Sequence, residues 1–203
     1  GVILSDRALA QAKATASEVH RTVLRMQADL ARIDAQLRSK STQSLVEMGL
    51  LSAAPEDAVV APMDTTFLWP VNGYISAGFR NPLYLKFFGI PHNGMDIATA
   101  QGTQVRSAAD GIVFLVKDGG ALGYTYVLIG HRDGYATLYG HLSLVQVAPG
   151  QEVKKGDVIG LSGGAPGTPG SGPTTTGPHV HFEVLLNGVN IDPMSILREA
   201  PAV

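Results

Sequence analysis

The run Thr176-Gly177-Pro178-His179-Val180-His181-Phe182-Glu183-Val184-Leu185-Leu186 is followed at once by Asn187-Gly188. Apolar and β-branched residues dominate it, and Asn-Gly is the strongest short hairpin signal, so residues 179–186 read as a strand entering a tight turn. Residues two apart on a strand point to the same side, which sends the imidazoles of His179 and His181 into one space. This strand sets the fold class.

On either side of it, short β-prone runs recur at Tyr74–Gly78, Gly111–Lys117, Tyr124–Ile129, Tyr135–Tyr139 and Asp157–Leu161. Turn signals separate them, at Asp118-Gly119-Gly120, Asp133-Gly134 and Lys155-Gly156. Strands this short and this regularly spaced predict a mainly β domain over residues 67–203, a small antiparallel sheet or partly open barrel. Two connections stand out. Residues 162–178 (SGGAPGTPGSGPTTTGP) are rich in Gly and Pro and carry no charge, and they end just before the histidine pair. They read as a loop bordering a site. Residues 81–91 (NPLYLKFFGIP) form an apolar, aromatic connection that ends just before His92.

Upstream of residue 60 the texture is different. All 13 aromatics and 22 of the 24 glycines lie after that point, as do five of the six histidines. Leu9, Ala12, Ala16, Val19, Val23, Met26, Leu30, Ile33 and Leu37 are spaced alternately three and four apart. That is the a/d seam of a coiled coil, uninterrupted by Gly or Pro, with Ser5-Asp6 as an N-cap. A helix over residues 6–40 would be about 50 Å long. The division is therefore a coiled-coil helix over 1–42, a short helix and linker over 43–66, and the β domain. The seam takes as its partner a second copy of the chain, another protein or an upstream helix; the alternative is an amphipathic helix lying on its own β domain. A long helix on a short linker could also occlude the site, so autoinhibition by residues 1–60 is an expectation.

Composition removes several classes of function. With 15 Lys+Arg against 17 Asp+Glu the formal net charge is -2, and no basic stripe is present, which argues against nucleic acid as a partner. Cysteine is absent, so disulfides and thiolate metal sites are excluded. No stretch of 18 or more apolar residues occurs, hence no membrane span is expected in this sequence. The start Gly1-Val2-Ile3-Leu4 lacks methionine and reads as a processed end, with a signal or anchor expected upstream.

The chemistry concentrates in three clusters. His92-Asn93-Gly94-Met95-Asp96 reads as a loop running into a strand; Gly140-His141-Leu142-Ser143 ends a β run; the third is His179-Val180-His181. Two imidazoles and one carboxylate in a β domain match the ligand set of a catalytic zinc site with the fourth position left to water. His20 falls at an e position of the heptad and is expected to be solvated, and His131 reads as a turn residue rather than a base. Arg80 and the tyrosines 124, 126 and 139 read as structural.

The segment Tyr139–Ser143, the HNGMD cluster and the Thr176–Glu183 run together resemble the lysostaphin/LytM-type zinc metallopeptidases of peptidoglycan. Ala108–Val113 (AADGIV), Pro149–Gly160 (PGQEVKKGDVIG) and Asp192-Pro193 are also similar to that family's core, so the resemblance covers about residues 68–197. It implies one Zn2+ per chain on His92, Asp96 and His181, with His141 and His179 as catalytic histidines that do not bind metal. It further implies peptidoglycan as substrate, cut as an endopeptidase, and a bacterial envelope, periplasmic location. With a coiled-coil attachment the D-alanyl–meso-diaminopimelate bond is the expected target rather than a glycine bridge. The alternative it carries is a non-hydrolytic coiled-coil regulator that activates another wall hydrolase, as degenerate members do. All five site positions are filled here, which speaks for the enzyme.

Overall fold

The computed structural model describes residues 67–172 and 175–197; the expected coiled coil, short helix and linker over residues 1–66 lie outside the described residues. In chain order the elements are β1 (Tyr74–Ala77), α1 (Pro82–Phe88), β2 (Met95–Ala98), β3 (Gln104–Arg106), β4 (Gly111–Lys117), β5 (Tyr126–Gly130), β6 (Tyr135–Gly140) and β7 (Leu142–Val145). They continue with β8 (Glu152–Val153), β9 (Val158–Ser162), β10 (His179–Leu186), β11 (Val189–Ile191) and a closing 3-10 turn at Pro193–Ser195. The fold is mainly β and antiparallel, as expected. Eight strands form one sheet in the order β1-β2-β10-β6-β5-β4-β8, with β11 paired to β10, and β3-β9-β7 form a second sheet. The large sheet ends on β1 and β8 and does not close into a barrel.

Strand β10 lies between β2 and β6 in the large sheet. β10 pairs with β2 through residues 179–182 and with β6 through residues 181–186. Its alternation separates two environments. Val180, Phe182 and Val184 point into the main core with Val127, Ile129 and Tyr139, while Leu185 joins a smaller cluster of Tyr126, Leu128, Ala136 and Leu138 on the opposite face. Phe182 is fully buried, and a phenylalanine so placed is worth about 3–5 kcal/mol against alanine. His179, His181 and Glu183 share the face of the smaller cluster, on a strand rigidly held on both edges.

Segment 81–91, read as a connection, contains a helix instead. The Asn81 side chain accepts from the Leu83 and Tyr84 amides, Pro82 occupies the first turn, and Gly89 closes the helix at φ 72°. A cap, a first-turn proline and a left-handed glycine are sufficient helix signals. Two turns of chain were too short to show a hydrophobic period.

His131 is a buried structural residue, only 4% exposed. Its Nδ1 lies 2.8 Å from the Asp110 carbonyl and its Nε2 2.7 Å from Thr137 Oγ1, which is itself 2.8 Å from the Tyr139 hydroxyl. Burial pushes its pKa down from 6.5 to about 4, against the pull of the Asp110 carbonyl. The unfolded chain takes up a proton here below pH 6.5 and the folded chain does not, so the residue costs stability as pH falls from 6.5 towards 4. The stability advantage of the wild type over His131→Gln should therefore shrink by about 2 kcal/mol between pH 7 and pH 5, measured from urea unfolding at both pH values.

Candidate metal centre and flanking histidines

Strand register builds the site. Asp96 on β2 lies directly opposite His181 on β10, His181 opposite Gly140 on β6, and Gly140 opposite Tyr126 on β5. Side chains so paired share one face about 4.5–5.5 Å apart at Cβ. His92 arrives from the loop before β2. Gly94 makes that approach possible: a Cβ there would run into the Phe182 carbonyl oxygen and come within 3.0 Å of Glu183 Cγ. The Asn-Gly step of HNGMD is thus a packing requirement, not only a turn signal.

Three ligand-type atoms converge at this point. His92 Nε2 lies 3.0 Å from Asp96 Oδ1 and 3.1 Å from His181 Nδ1, and His181 Nδ1 lies 2.8 Å from Asp96 Oδ1. All three residues are buried, and among the described residues this is the group of His and acidic side chains able to hold a metal ion. Partners behind the rings set which nitrogen faces inward. The Gly78 carbonyl, 2.8 Å away, can only accept, so His92 Nδ1 donates to it and Nε2 faces Asp96. His181 Nε2 donates to Glu183 Oε1 at 3.1 Å, leaving Nδ1 inward. Backbone contacts brace the same corner, since the Arg80 amide donates to the His92 carbonyl at 2.9 Å. Arg80, at φ 55°, serves the site through its main chain.

The electrostatics favour a cation at this point. Burial alone would lower the His181 pKa, but the hydrogen bonds its ring donates to Asp96 and Glu183 override it and push it up to about 9. Burial likewise opposes ionisation of Asp96, and the hydrogen bonds with His181 and His92 hold its carboxyl well below the usual carboxylate range. A carboxylate and two ring nitrogens therefore gather around one proton, a position a metal ion can take by displacing it.

His141 and His179 flank the triad, their rings 4.3 Å apart at the centroids. Both are held the same way. His141 Nδ1 donates to the Ser171 carbonyl at 2.8 Å and His179 Nδ1 to the Gly177 carbonyl at 2.7 Å. Each is left with Nε2 as its acceptor, and His179 Nε2 lies 3.8 Å from Asp96 Oδ1. Both carbonyls belong to the Gly/Pro-rich 162–178 segment, which thus orients two side chains through its backbone. His141 sits at φ 57°, between the end of β6 in one sheet and the start of β7 in the other. A left-handed non-glycine backbone costs about 1–3 kcal/mol and is characteristic of functional turns. Burial, then the neighbouring His179, lowers the His141 pKa to about 3; burial also lowers that of His179, with Asp96 opposing. Both imidazoles are neutral bases at neutral pH.

Aromatic side chains complete the surroundings, a role the sequence reading did not give them. Tyr84 of α1 stacks on the His92 ring at 4.2 Å with an interplanar angle of 16°. Tyr124, read as strand packing, lies just before β5 and packs against the His141 ring at 4.8 Å. A groove of about 310 Å³ is lined by Asp96, His179, Tyr74, Ser76, Tyr84, Phe88 and Pro178.

Two imidazoles and a carboxylate meeting at one point, beside two neutral imidazoles on the same β-sheet, form a donor set able to hold a metal ion next to two bases. The assignment narrows further on comparison with known proteins. The model of Peptidase family M23 matches residues 90–193, and the chain belongs to that family. It is 39% identical over 104 residues to the peptidoglycan DD-endopeptidase ShyA of Vibrio cholerae, a match covering 51% of this chain and 22% of that protein. The chain thus spans about a fifth of the length of that relative. Among solved structures it is similar to a zinc-containing peptidase from Vibrio cholerae (TM-score 0.52, 36% identity, 67% of this chain and 41% of that one). It is also similar to lysostaphin from Staphylococcus simulans (TM-score 0.51, 29% identity, 62% and 49%). The family resemblance read from the motifs is correct.

Proposed function

We propose that this chain is a zinc-dependent endopeptidase that hydrolyses peptide cross-links of bacterial peptidoglycan, at the D-alanyl–meso-diaminopimelate bond, in the cell envelope. The observation that carries this reading is the convergence of His92 Nε2, Asp96 Oδ1 and His181 Nδ1 within 3.1 Å of one another. Tetrahedral zinc with bonds of about 2.0–2.1 Å sets its ligand atoms about 3.3 Å apart, so the three side chains fit one ion after a spreading of a few tenths of an ångström. When bound, zinc polarises the scissile carbonyl and lowers the pKa of a coordinated water towards about 7.

The chain's own residues supply the proton handling. In this reading the neutral Nε2 of one flanking histidine takes a proton from the attacking water as the new carbon–oxygen bond forms. It then returns that proton to the nitrogen of the breaking peptide bond, so the amine leaves neutral. The other histidine, whose Nε2 is likewise an acceptor, orients the attacking water by accepting a hydrogen bond from it. The groove past Tyr74, Tyr84 and Phe88 is where the peptide lies. Residues 1–42 act in this account as a coiled coil that joins a second copy or a partner protein, and residues 43–66 as the tether.

The choice of bond draws on the DD-endopeptidase among the relatives and on the heptad attachment. Digesting purified diaminopimelate-type sacculi with the zinc-loaded chain should convert cross-linked muropeptide dimers to monomers by mass spectrometry. The new ends should be a D-alanine carboxylate and a diaminopimelate amine. Intact dimers would contradict the reading, and release only from glycine-bridged walls would reassign the bond.

A further inference from the structure

We propose that Glu183, itself held by Asn190, is a positioning residue that fixes which nitrogen of His181 faces the metal and strengthens that nitrogen as a ligand. The inference rests on the reading of His181 as a zinc ligand and goes beyond it.

Glu183 is only 3% exposed and lies opposite Leu138 across the β6–β10 pair, an apolar setting that a carboxylate enters only at a cost. Both its oxygens are used. Oε1 accepts from His181 Nε2 at 3.1 Å, and Oε2 accepts from Asn190 Nδ2 at 2.7 Å. The His181 nitrogen it holds is the one pointing away from His92 and Asp96, so Glu183 acts behind the ring rather than as a ligand. Asn190 is delivered by β11, where it pairs with Leu185 on the same strand as Glu183. The slot for the side chain is left open by Gly94, where a Cβ would stand 3.0 Å from Glu183 Cγ. One glycine therefore admits both His92 to the cluster and Glu183 to its place behind His181.

This arrangement has a consequence for affinity. A carboxylate behind an imidazole locks the tautomer, stops the ring from turning over and raises the basicity of the opposite nitrogen. Loss of such a partner typically costs about 10–100-fold in metal affinity. The hairpin at Asn187-Gly188 acquires a purpose as well, since it turns the chain back to bring Asn190 onto the carboxylate.

The test uses the full chain and zinc ion in competition with a chromophoric chelator. Glu183→Gln keeps an acceptor for Nε2–H but not the charge, and should weaken zinc binding about 10-fold; Glu183→Ala should weaken it about 100-fold. Asn190→Ala should produce a smaller loss in the same direction. In 15N-labelled zinc-loaded wild type, His181 should show a slowly exchanging Nε2–H and a metal-shifted Nδ1, and the Nε2–H protection should vanish in Glu183→Ala. Melting of the metal-free proteins checks folding. Should Glu183→Ala not fold, Glu183→Gln and Asn190→Ala decide the matter. Unchanged zinc affinity in the folded variants overturns the proposal. His181→Ala separates the two levels: if it loses zinc while the Glu183 and Asn190 variants keep full affinity, only the positioning role fails. If His181→Ala itself keeps full affinity, the ligand assignment fails and this proposal with it.

Discussion

His141→Asn and His179→Ala should each lower peptidoglycan hydrolysis by about 10²–10⁴-fold while zinc stays bound, because each removes a group that takes the proton of the attacking water or holds that water in place without being a metal ligand. Asparagine is the informative replacement at residue 141. The backbone there is at φ 57°, a region asparagine tolerates, so the turn between β6 and β7 survives the change. The two variants also separate roles. Loss confined to turnover, with unchanged substrate binding, marks an interaction made only in the transition state. Activity within a few-fold of wild type in either variant would remove that histidine from the mechanism. Zinc content, measured on the same samples, shows that the loss does not come from an emptied site.

The second large effect is at Asp96. Its Oδ1 is the one atom that contacts both His92 and His181, and it carries the only charge among the three inward-facing donors when both rings are neutral. Removing one member of a buried ionic set costs about 3–5 kcal/mol, equivalent to about 10²–10⁴ in affinity. Asp96→Ala should therefore lose zinc in the presence of a competing chelator and lose hydrolysis in proportion. Saturating zinc should restore part of the activity if the two histidines still hold the ion. Zinc binding as tight as wild type in Asp96→Ala would show that the carboxylate is not a ligand.

Much of this architecture was legible in the residues, for reasons that differ from element to element. β4 and β10 have the boundaries read from their β-prone runs and flanking turns, because seven or eight residues give the pattern room to repeat. The strands β3, β8 and β11 have only two or three residues each and cannot show an alternation. Their existence depends on partners distant in sequence. Helix α1 carried its signals openly in Asn81, Pro82 and Gly89, but its short apolar, aromatic run read as a connection leading to His92. Of its large residues Leu83, Leu85 and Phe87 remain exposed, while Tyr84 packs on His92.

The site was readable in its side chains and not in its backbone. His92, Asp96, His141, His179 and His181 stand out in motifs, and strand register then brings Asp96 opposite His181. What orients the two flanking histidines is a pair of carbonyls, on Ser171 and Gly177, and no sequence pattern marks a carbonyl. Glu183 could have been found. The alternation that pairs His179 with His181 runs on to Glu183 two residues later, and a carboxylate on the buried face of a strand has to have a partner.

In the proposed function the His92–Asp96–His181 cluster makes this chain a metal-dependent wall hydrolase. The most direct test is release of soluble fragments from purified sacculi by one preparation carried through three states: zinc-loaded, stripped with chelator, and reloaded with zinc. Release is expected in the first state, none in the second and recovery in the third, with Asp96→Ala well below the wild type at matched, sub-saturating zinc. Undiminished release by the stripped protein, or none from the zinc-loaded protein, would contradict it.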